Sequence, residues 1–405
     1  MGIRLLPPQL KKFGRVCPLG EAGLEGMVVG VDFMVLMHAA IARKSVANQF
    51  WVEPAVPVTA VLEYFDEYVK ALRNVAKVAQ IVFVLDGLCP PSKEREGARR
   101  RALREVDTAE LRRLFSDGTP ADLAEVERLK KKCVFPRTDV VALVMAWVLE
   151  GSHGTLLSAP FEADGQLVHE ERAGRIDAII SVDSDLFVLG AKWLILDLHS
   201  SDRSWSCVVV KRESVLPRLD EVVLGPELVG VGRTLRTGYL LQEFCSFLGS
   251  DFVPQLAGWG WKTVVKYFRT QWVTLATQAE RTAEILRLSQ EHTFNPAMLA
   301  VGLLPGEYPA LFSCSVASLS GPPVLHLDFP MRDILNYSVG AEGILPNLGL
   351  STSAMDIETE MLHSPAPSPA HALAHARLEA MTTAQRHAHL QSLLEDASST
   401  DVVVR

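Results

Sequence analysis

The chain has 405 residues, 48% hydrophobic and 22% charged, with a formal net charge of −8. That is a soluble globular composition, long enough for two or three domain-sized units and a sizeable core. The longest apolar run, near residues 140–149, falls short of the roughly 20 residues a bilayer span needs. No apolar signal segment opens the chain, and Leu6 stands where an N-myristoylation signal wants Ser or Thr. Cys17, Cys89, Cys133, Cys207, Cys245 and Cys314 form no CxxC pair, which argues against a zinc site or a disulfide scaffold and fits a reducing compartment. The net negative charge, taken alone, argues against a nucleic-acid binder, so the distribution of charge has to decide.

In chain order, residues 27–32 (MVVGVD) and 80–86 (QIVFVLD) are short Val- and Ile-rich runs ending in Asp and read as buried parallel strands. Residues 154–159 and 176–182 (IDAIISV) read the same way. Helical periodicity fills 59–75 and 140–149 between them. The alternation predicts an α/β fold with a mainly parallel central sheet flanked by helices. A charged insert at about 92–132 reads as one or two helices with little face to bury, broken at Asp117-Gly118-Thr119-Pro120. Around 238–269 the pattern becomes helix, loop, helix, punctuated by Gly249-Ser250-Asp251 and Gly258-Trp259-Gly260. From Gly340 the chain turns rich in Ser, Pro and Ala, notably 363–370 (HSPAPSPA), and reads as a disordered tail with a terminal helix over 371–397. The implied division is 1–230, 231–335 and 336–405.

Acids gather where these strands end. Asp32 and Asp86 each close a strand, a third strand leads into Asp183-Ser184-Asp185, and a fourth into Glu162-Ala163-Asp164. In open α/β sheets ligands bind at the carboxyl ends of strands. If 183–185 stays extended, its two acids point to one side. Taken singly, a strand-end Asp is more often a helix cap. Together such acids raise one another's pKa and call for hard cations, Mg2+ or Mn2+.

The ordered set Met1-Gly2-Ile3, Val31-Asp32, Asp86-Gly87, Pro90-Pro91-Ser92-Lys93, Arg99-Arg100-Arg101, Pro160-Phe161-Glu162-Ala163-Asp164, Asp183-Ser184-Asp185-Leu186, Gly249-Ser250-Asp251-Phe252 and Gly258-Trp259-Gly260 resembles the flap endonuclease and XPG-type 5′ nuclease family over about residues 1–275. Within it, His38 and the stretches 162–167 (EADGQL) and 179–186 (IISVDSDL) are most similar to the exonuclease 1 branch.

The resemblance implies a PIN-like fold with a helical arch, a helix–turn–helix duplex-binding unit and a wrap-back segment. It implies Asp32, Asp86, Glu162, Asp164, Asp183, Asp185 and Asp251 as ligands of two Mg2+ or Mn2+ ions. Asp183, Lys93, Arg100 and His38 are carried over as catalytic residues, Lys93 and Arg100 lying about two helical turns apart on one face. Gly2, His38, Arg99, Arg101, Arg104, Gly258, Gly260 and Lys262 are implied contacts to DNA, and the glycine turn a K+ site. The activity implied is a 5′→3′ double-strand DNA exonuclease with flap endonuclease activity. The rival readings are a flap or bubble endonuclease proper, a non-catalytic DNA-binding relative and an RNA-directed nuclease. The resemblance also implies DNA with 5′ ends, flaps or nicks as partner, and nuclear location, with a mitochondrial role as the alternative. No sliding-clamp motif stands out, since Gln385 is not followed by an aromatic pair. Leu5, Trp259 and Trp261 depart from the family pattern, and 291–328 resembles it only faintly.

Overall fold

A computed structural model of the chain describes residues 3, 5–43, 58–89, 93–116, 123–133, 136, 138–201, 204–237, 239–292 and 305–320. Seven strands form one sheet: β1 (Arg15–Pro18), β2 (Val28–Asp32), β3 (Gln80–Leu85), β4 (Thr155–Ser158), β5 (Ala178–Ile180), β6 (Trp193–Ser201) and β7 (Ser204–Lys211). Their order is β1-β7-β6-β5-β2-β3-β4. The four apolar runs read from sequence are β2 to β5, and with β6 they make five parallel strands. β7 lies antiparallel between β6 and β1.

The strands are continuously apolar because both sheet faces are covered. On β3, Ile81, Phe83 and Leu85 face one core, while Val82 and Val84 face the other. The first core takes helices α2 (Phe33–Ala42), α3 (Val58–Lys70) and α6 (Thr138–Glu150). The ring of Phe33 meets Phe65 at 5.5 Å and Phe83 at 6.1 Å, and Phe65 meets Trp147 at 6.5 Å. Between α2 and α6 in sequence, the insert folds as α4 (Glu94–Ser116) and α5 (Leu123–Cys133). Contrary to the reading of little face to bury, α4 and α5 share a small core of Leu111, Val126, Leu129 and Cys133. The break at 117–120 lies outside the described residues.

The opposite core takes α1 (Pro7–Phe13), α7 (Ala163–Arg172), α8 (Asp185–Leu189) and α9 (Arg212–Val223). It continues without interruption into α10 (Leu240–Leu248), α11 (Trp261–Thr270), α12 (Gln278–Glu291) and α13 (Tyr308–Ser318). Leu5 packs against this core, so the departure at that position adds apolar contact. Trp259 is buried against Phe247 and Tyr267, with ring centroids 5.8 and 4.8 Å away, and Trp261 stands edge-on to Phe244 at 5.4 Å. Both departures therefore anchor the glycine turn to the helices behind it. One buried acid, Glu243, accepts from Trp272 Nε1 at 2.8 Å and Arg281 at 2.7 Å, tying α10 to α12.

No described helix is long and apolar enough to cross a membrane. All six cysteines are free thiols.

Candidate active site

After β2 the chain leaves to one side for β3 and β4, then returns across the sheet to β5. The switch between β2 and β5 opens the crevice in which open α/β sheets bind ligands. Six of the seven predicted acids lie on the segments that leave the carboxyl ends of β2, β3, β4 and β5. Asp32 closes β2 and caps α2: its Oδ1 accepts the Val35 N–H at 3.0 Å, and its Oδ2 accepts the Ser181 hydroxyl at 3.2 Å. Asp86 follows β3, and its Oδ1 accepts the Ala163 N–H at the start of α7 at 2.8 Å. Each is thus a helix-capping acid as well as a member of the cluster. The loops after β3 and β4 are fastened together by Gly87 N–H to Phe161 O at 2.5 Å and Leu88 N–H to Pro160 O at 3.0 Å. A Cβ on Gly87 would stand 2.1 Å from Ala159 O, so only glycine permits this approach.

Asp183 and Asp185 are not an extended pair. Asp185 opens α8, and its N–H donates to Asp183 Oδ1 at 3.0 Å, folding the two acids into a helix start. Ser184 between them accepts the N–H of Ile3 at 3.1 Å, pinning the N-terminal segment beneath the site. Asp251 arrives from the far end of α10.

The cations predicted for catalysis face these acids. Lys93 Nζ lies 2.5 Å from Glu162 and 3.6 Å from Asp251, and 4.8 Å over the ring of Phe252. Arg100 donates to Asp251 Oδ1 at 2.6 Å. Glu96, within the charged insert, is buried and positions both neighbours. It accepts Arg100 Nε at 2.8 Å, and Arg99 Nε and Nη2 at 2.7 and 2.6 Å. Its spacing of three and four residues before two arginines was the available signal. Ser184 and Ser250 entered the sequence reading only as parts of motifs, without a role, and Ser181 not at all, because a loop serine's partner is not written in its neighbours.

Burial pushes the Asp32 carboxyl up to about 7, aided by Asp86 and Asp183. Burial, then Asp183, also raises Asp164 and Asp185 well above the carboxylate range. Glu162 is raised by burial against the opposing pull of Lys93. Asp86 keeps solvent access, yet the protein packed around it raises it as well. Burial works against the Lys93 charge but is outweighed by Glu162, Asp185, Asp251 and Asp164, which hold the ammonium above its ordinary value.

Asp164 Oδ1 and Asp185 Oδ1 are buried without a hydrogen-bond partner. An orphaned buried group of this kind costs about 1–3 kcal/mol, more when charged. Oxygen donors, orphaned lone pairs and mutual repulsion together fit hard divalent cations. Among the described residues no three His, Cys, Asp or Glu side chains close into a ready metal cage. Lys93 and Arg100 hold Glu162 and Asp251, and backbone N–H groups hold Asp32, Asp86 and Asp183.

Around this edge, His38 is exposed on α2. Its pKa is lowered by the protein around it and then by the positive charge of Arg104 and Arg100. Arg101 is exposed and Arg104 half-buried on α4. Lys262 is exposed at the start of α11, beside the exposed Gly258 and Gly260. Gly258 has φ +77°, which favours glycine; Gly260 has φ −74°, which does not require it. Space is open beyond both. Gly2, residues 293–304 of the wrap-back segment, the linker at 363–370 and the terminal helix at 371–397 lie outside the described residues.

The XPG I-region family model matches residues 155–251, the stretch that carries five of the seven acids. Exodeoxyribonuclease 1 of Saccharomyces cerevisiae is 27% identical over 226 residues, 56% of this chain and 30% of that protein. Exonuclease 1 of Oryza sativa subsp. japonica is 27% identical over 262 residues, 65% of this chain and 28% of that protein. The chain therefore spans less than a third of these two relatives' own lengths. A solved structure of the catalytic core of Rad2 in complex with DNA substrate matches with a TM-score of 0.52 at 16% identity, covering 89% of this chain and 99% of that one. The fold is thus the PIN-like fold of such nucleases. The chain thus carries an XPG I-region at residues 155–251 and is similar, beyond it, to nucleases named as exonuclease 1.

Proposed function

We propose that the chain is a divalent-metal-dependent, structure-specific nuclease that hydrolyses DNA from 5′ ends, a 5′→3′ double-strand exonuclease with flap endonuclease activity. The observation that carries this reading is the meeting, at one sheet edge, of acids from four strand ends and the Asp251 turn with Lys93 and Arg100. The relatives named as exonucleases favour the exonuclease branch.

In this reading Asp32, Asp86, Glu162, Asp164, Asp183, Asp185 and Asp251 hold two Mg2+ or Mn2+ ions. Such ions supply a nucleophilic water at neutral pH and neutralise the leaving oxygen of a phosphodiester. Lys93 and Arg100 exchange their carboxylate partners for the scissile phosphate and stabilise the charge that grows on it. Their present partners place both heads at the acid cluster, where that charge develops. His38 contacts the nucleotide beside the cut.

Arg99, Arg101 and Arg104 on α4 attract the strand near its 5′ end, and the release of counterions makes binding salt-dependent. Gly258 and Gly260 let a duplex phosphate approach the backbone N–H groups, with Lys262 beside it and K+ held at the turn. Residues 1–230 form the nuclease core with its arch at about 92–132, 231–335 grip duplex, and 336–405 are a tail. Work in repair or replication in the nucleus belongs to the same proposal.

The test is cleavage of end-labelled duplexes bearing recessed, blunt or flapped 5′ ends in Mg2+. Stepwise release of mononucleotides supports the exonuclease. Release of short flap oligonucleotides alone moves the reading to a flap or bubble endonuclease. Binding without cleavage leaves a non-catalytic DNA-binding relative.

A further inference from the structure

The turn that carries Asp251 is not held by the nuclease core alone. Ser250 Oγ accepts the N–H groups of Phe252 at 3.2 Å and Val253 at 3.4 Å, while the Ser250 N–H donates to Val253 O at 2.9 Å. Asp251 is locked inside this knot. The same Ser250 hydroxyl lies 3.0 Å from Ser315 Oγ, 65 residues away on α13. Ser246, two residues before the end of α10, donates to Ser315 Oγ at 2.9 Å. Ser246, Ser250 and Ser315 are all buried, Ser246 and Ser315 completely. The wall around them is aromatic: Phe312 on α13 meets Phe247 at 4.7 Å and Trp272 at 5.8 Å.

Hydroxyls buried among aromatic rings are costly unless they satisfy one another. Three alanines of similar size would fill the space without that constraint. What the hydroxyls add is direction: a helix distant in sequence fixes the rotation of one turn. That turn points Asp251 at Arg100, 2.6 Å away, and Lys93, 3.6 Å away.

We propose that Ser315 is a positioning residue for Asp251. Through Ser250 it sets the angle at which the Asp251 carboxylate enters the acid cluster, so α13 tunes metal affinity rather than merely completing the fold. The proposal rests on the metal-dependent reading above, in which Asp251 is a ligand.

The experiment is Mn2+ titration of the full chain, followed by electron paramagnetic resonance, with the Mg2+ dependence of cleavage measured beside it. Ser315→Ala weakens Mn2+ binding about threefold to tenfold, the net worth of one buried hydrogen bond expressed as affinity. It raises the Mg2+ concentration for half-maximal cleavage by the same factor and leaves KM for DNA in place. Ser315→Thr, which keeps the hydroxyl, restores both, and Ser250→Ala reproduces the loss from the other end of the link. Phe312→Leu, which removes packing from the same helix, lowers Tm without moving Mn2+ affinity. Equal Mn2+ affinity in folded Ser315→Ala and wild type overturns the proposal alone, as does an equal loss in Phe312→Leu. A wild-type chain that binds no Mn2+ and cleaves nothing overturns the reading beneath it.

Discussion

Asp32 shows how one residue serves both fold and chemistry. Its Oδ1 caps α2, an ordinary structural task, while burial among other acids lifts its pKa to about 7. A carboxyl whose folded pKa lies above its unfolded 3.8 binds more protons folded than unfolded between those values. Stability contributed by Asp32 therefore falls as pH rises through that window. Without divalent cation, Tm should drop between pH about 4 and about 7, and Mg2+ should raise Tm more at the higher pH, where the acids are charged. Asp32→Asn should flatten the profile; a wild-type Tm that rises steadily across the window would refute the account. At Lys93 and Arg100, replacement by Ala should each cost about 100- to 1,000-fold in kcat. DNA affinity measured without divalent cation should change far less. A loss confined to affinity would recast them as binding residues.

At the scale of elements, the glycine turn before α11 separates folding from binding. Gly260 has an ordinary φ and open space beyond it, so Gly260→Ala should leave Tm nearly unchanged yet weaken duplex binding. Gly258→Ala should cost about 1 kcal/mol as well, because its φ is +77°. Duplex affinity that survives Gly260→Ala would remove the turn from the interface. Replacing Arg101 or Lys262 by Ala should lower the slope of log affinity against log salt by about 1 each. Much of this scale was legible in the sequence. β2 to β5 were readable because both sheet faces are buried, which leaves unbroken apolar runs, each leading into an acid. β6 and β7 were missed: the pairing shifts register between Leu196 and His199, and Asp197 has φ +50°, so the period of two is interrupted. β1 is four residues long and ends in Pro18, too short to carry a pattern. The condition that Asp183 and Asp185 stay extended is not met, because the Asp185 N–H donating to Asp183 starts a helix there. Lys93 and Arg100 were legible only through resemblance, since their partner Asp251 lies 151 residues from Arg100.

Across the whole molecule, a net charge of −8 hides a local contrast: seven acids gather around one sheet edge, and Lys93 and Arg100 face them. The sheet makes this contrast by bringing four strand ends together, and the loops are tied so closely that Gly87→Ala would press on Ala159 O. That substitution should destabilise by about 1–3 kcal/mol and displace Glu162, seen as a lower Tm together with weaker Mg2+ dependence. The central claim, that this edge is a metal-dependent nuclease centre for DNA, is tested most directly by one measurement. It is cleavage of a 5′-recessed duplex in Mg2+ by the wild-type chain beside Asp183→Ala. The account predicts mononucleotide release by the wild type and its loss in a folded Asp183→Ala that still binds DNA. Cleavage that persists in Asp183→Ala, or is absent from the wild type on every 5′-ended substrate, would contradict it.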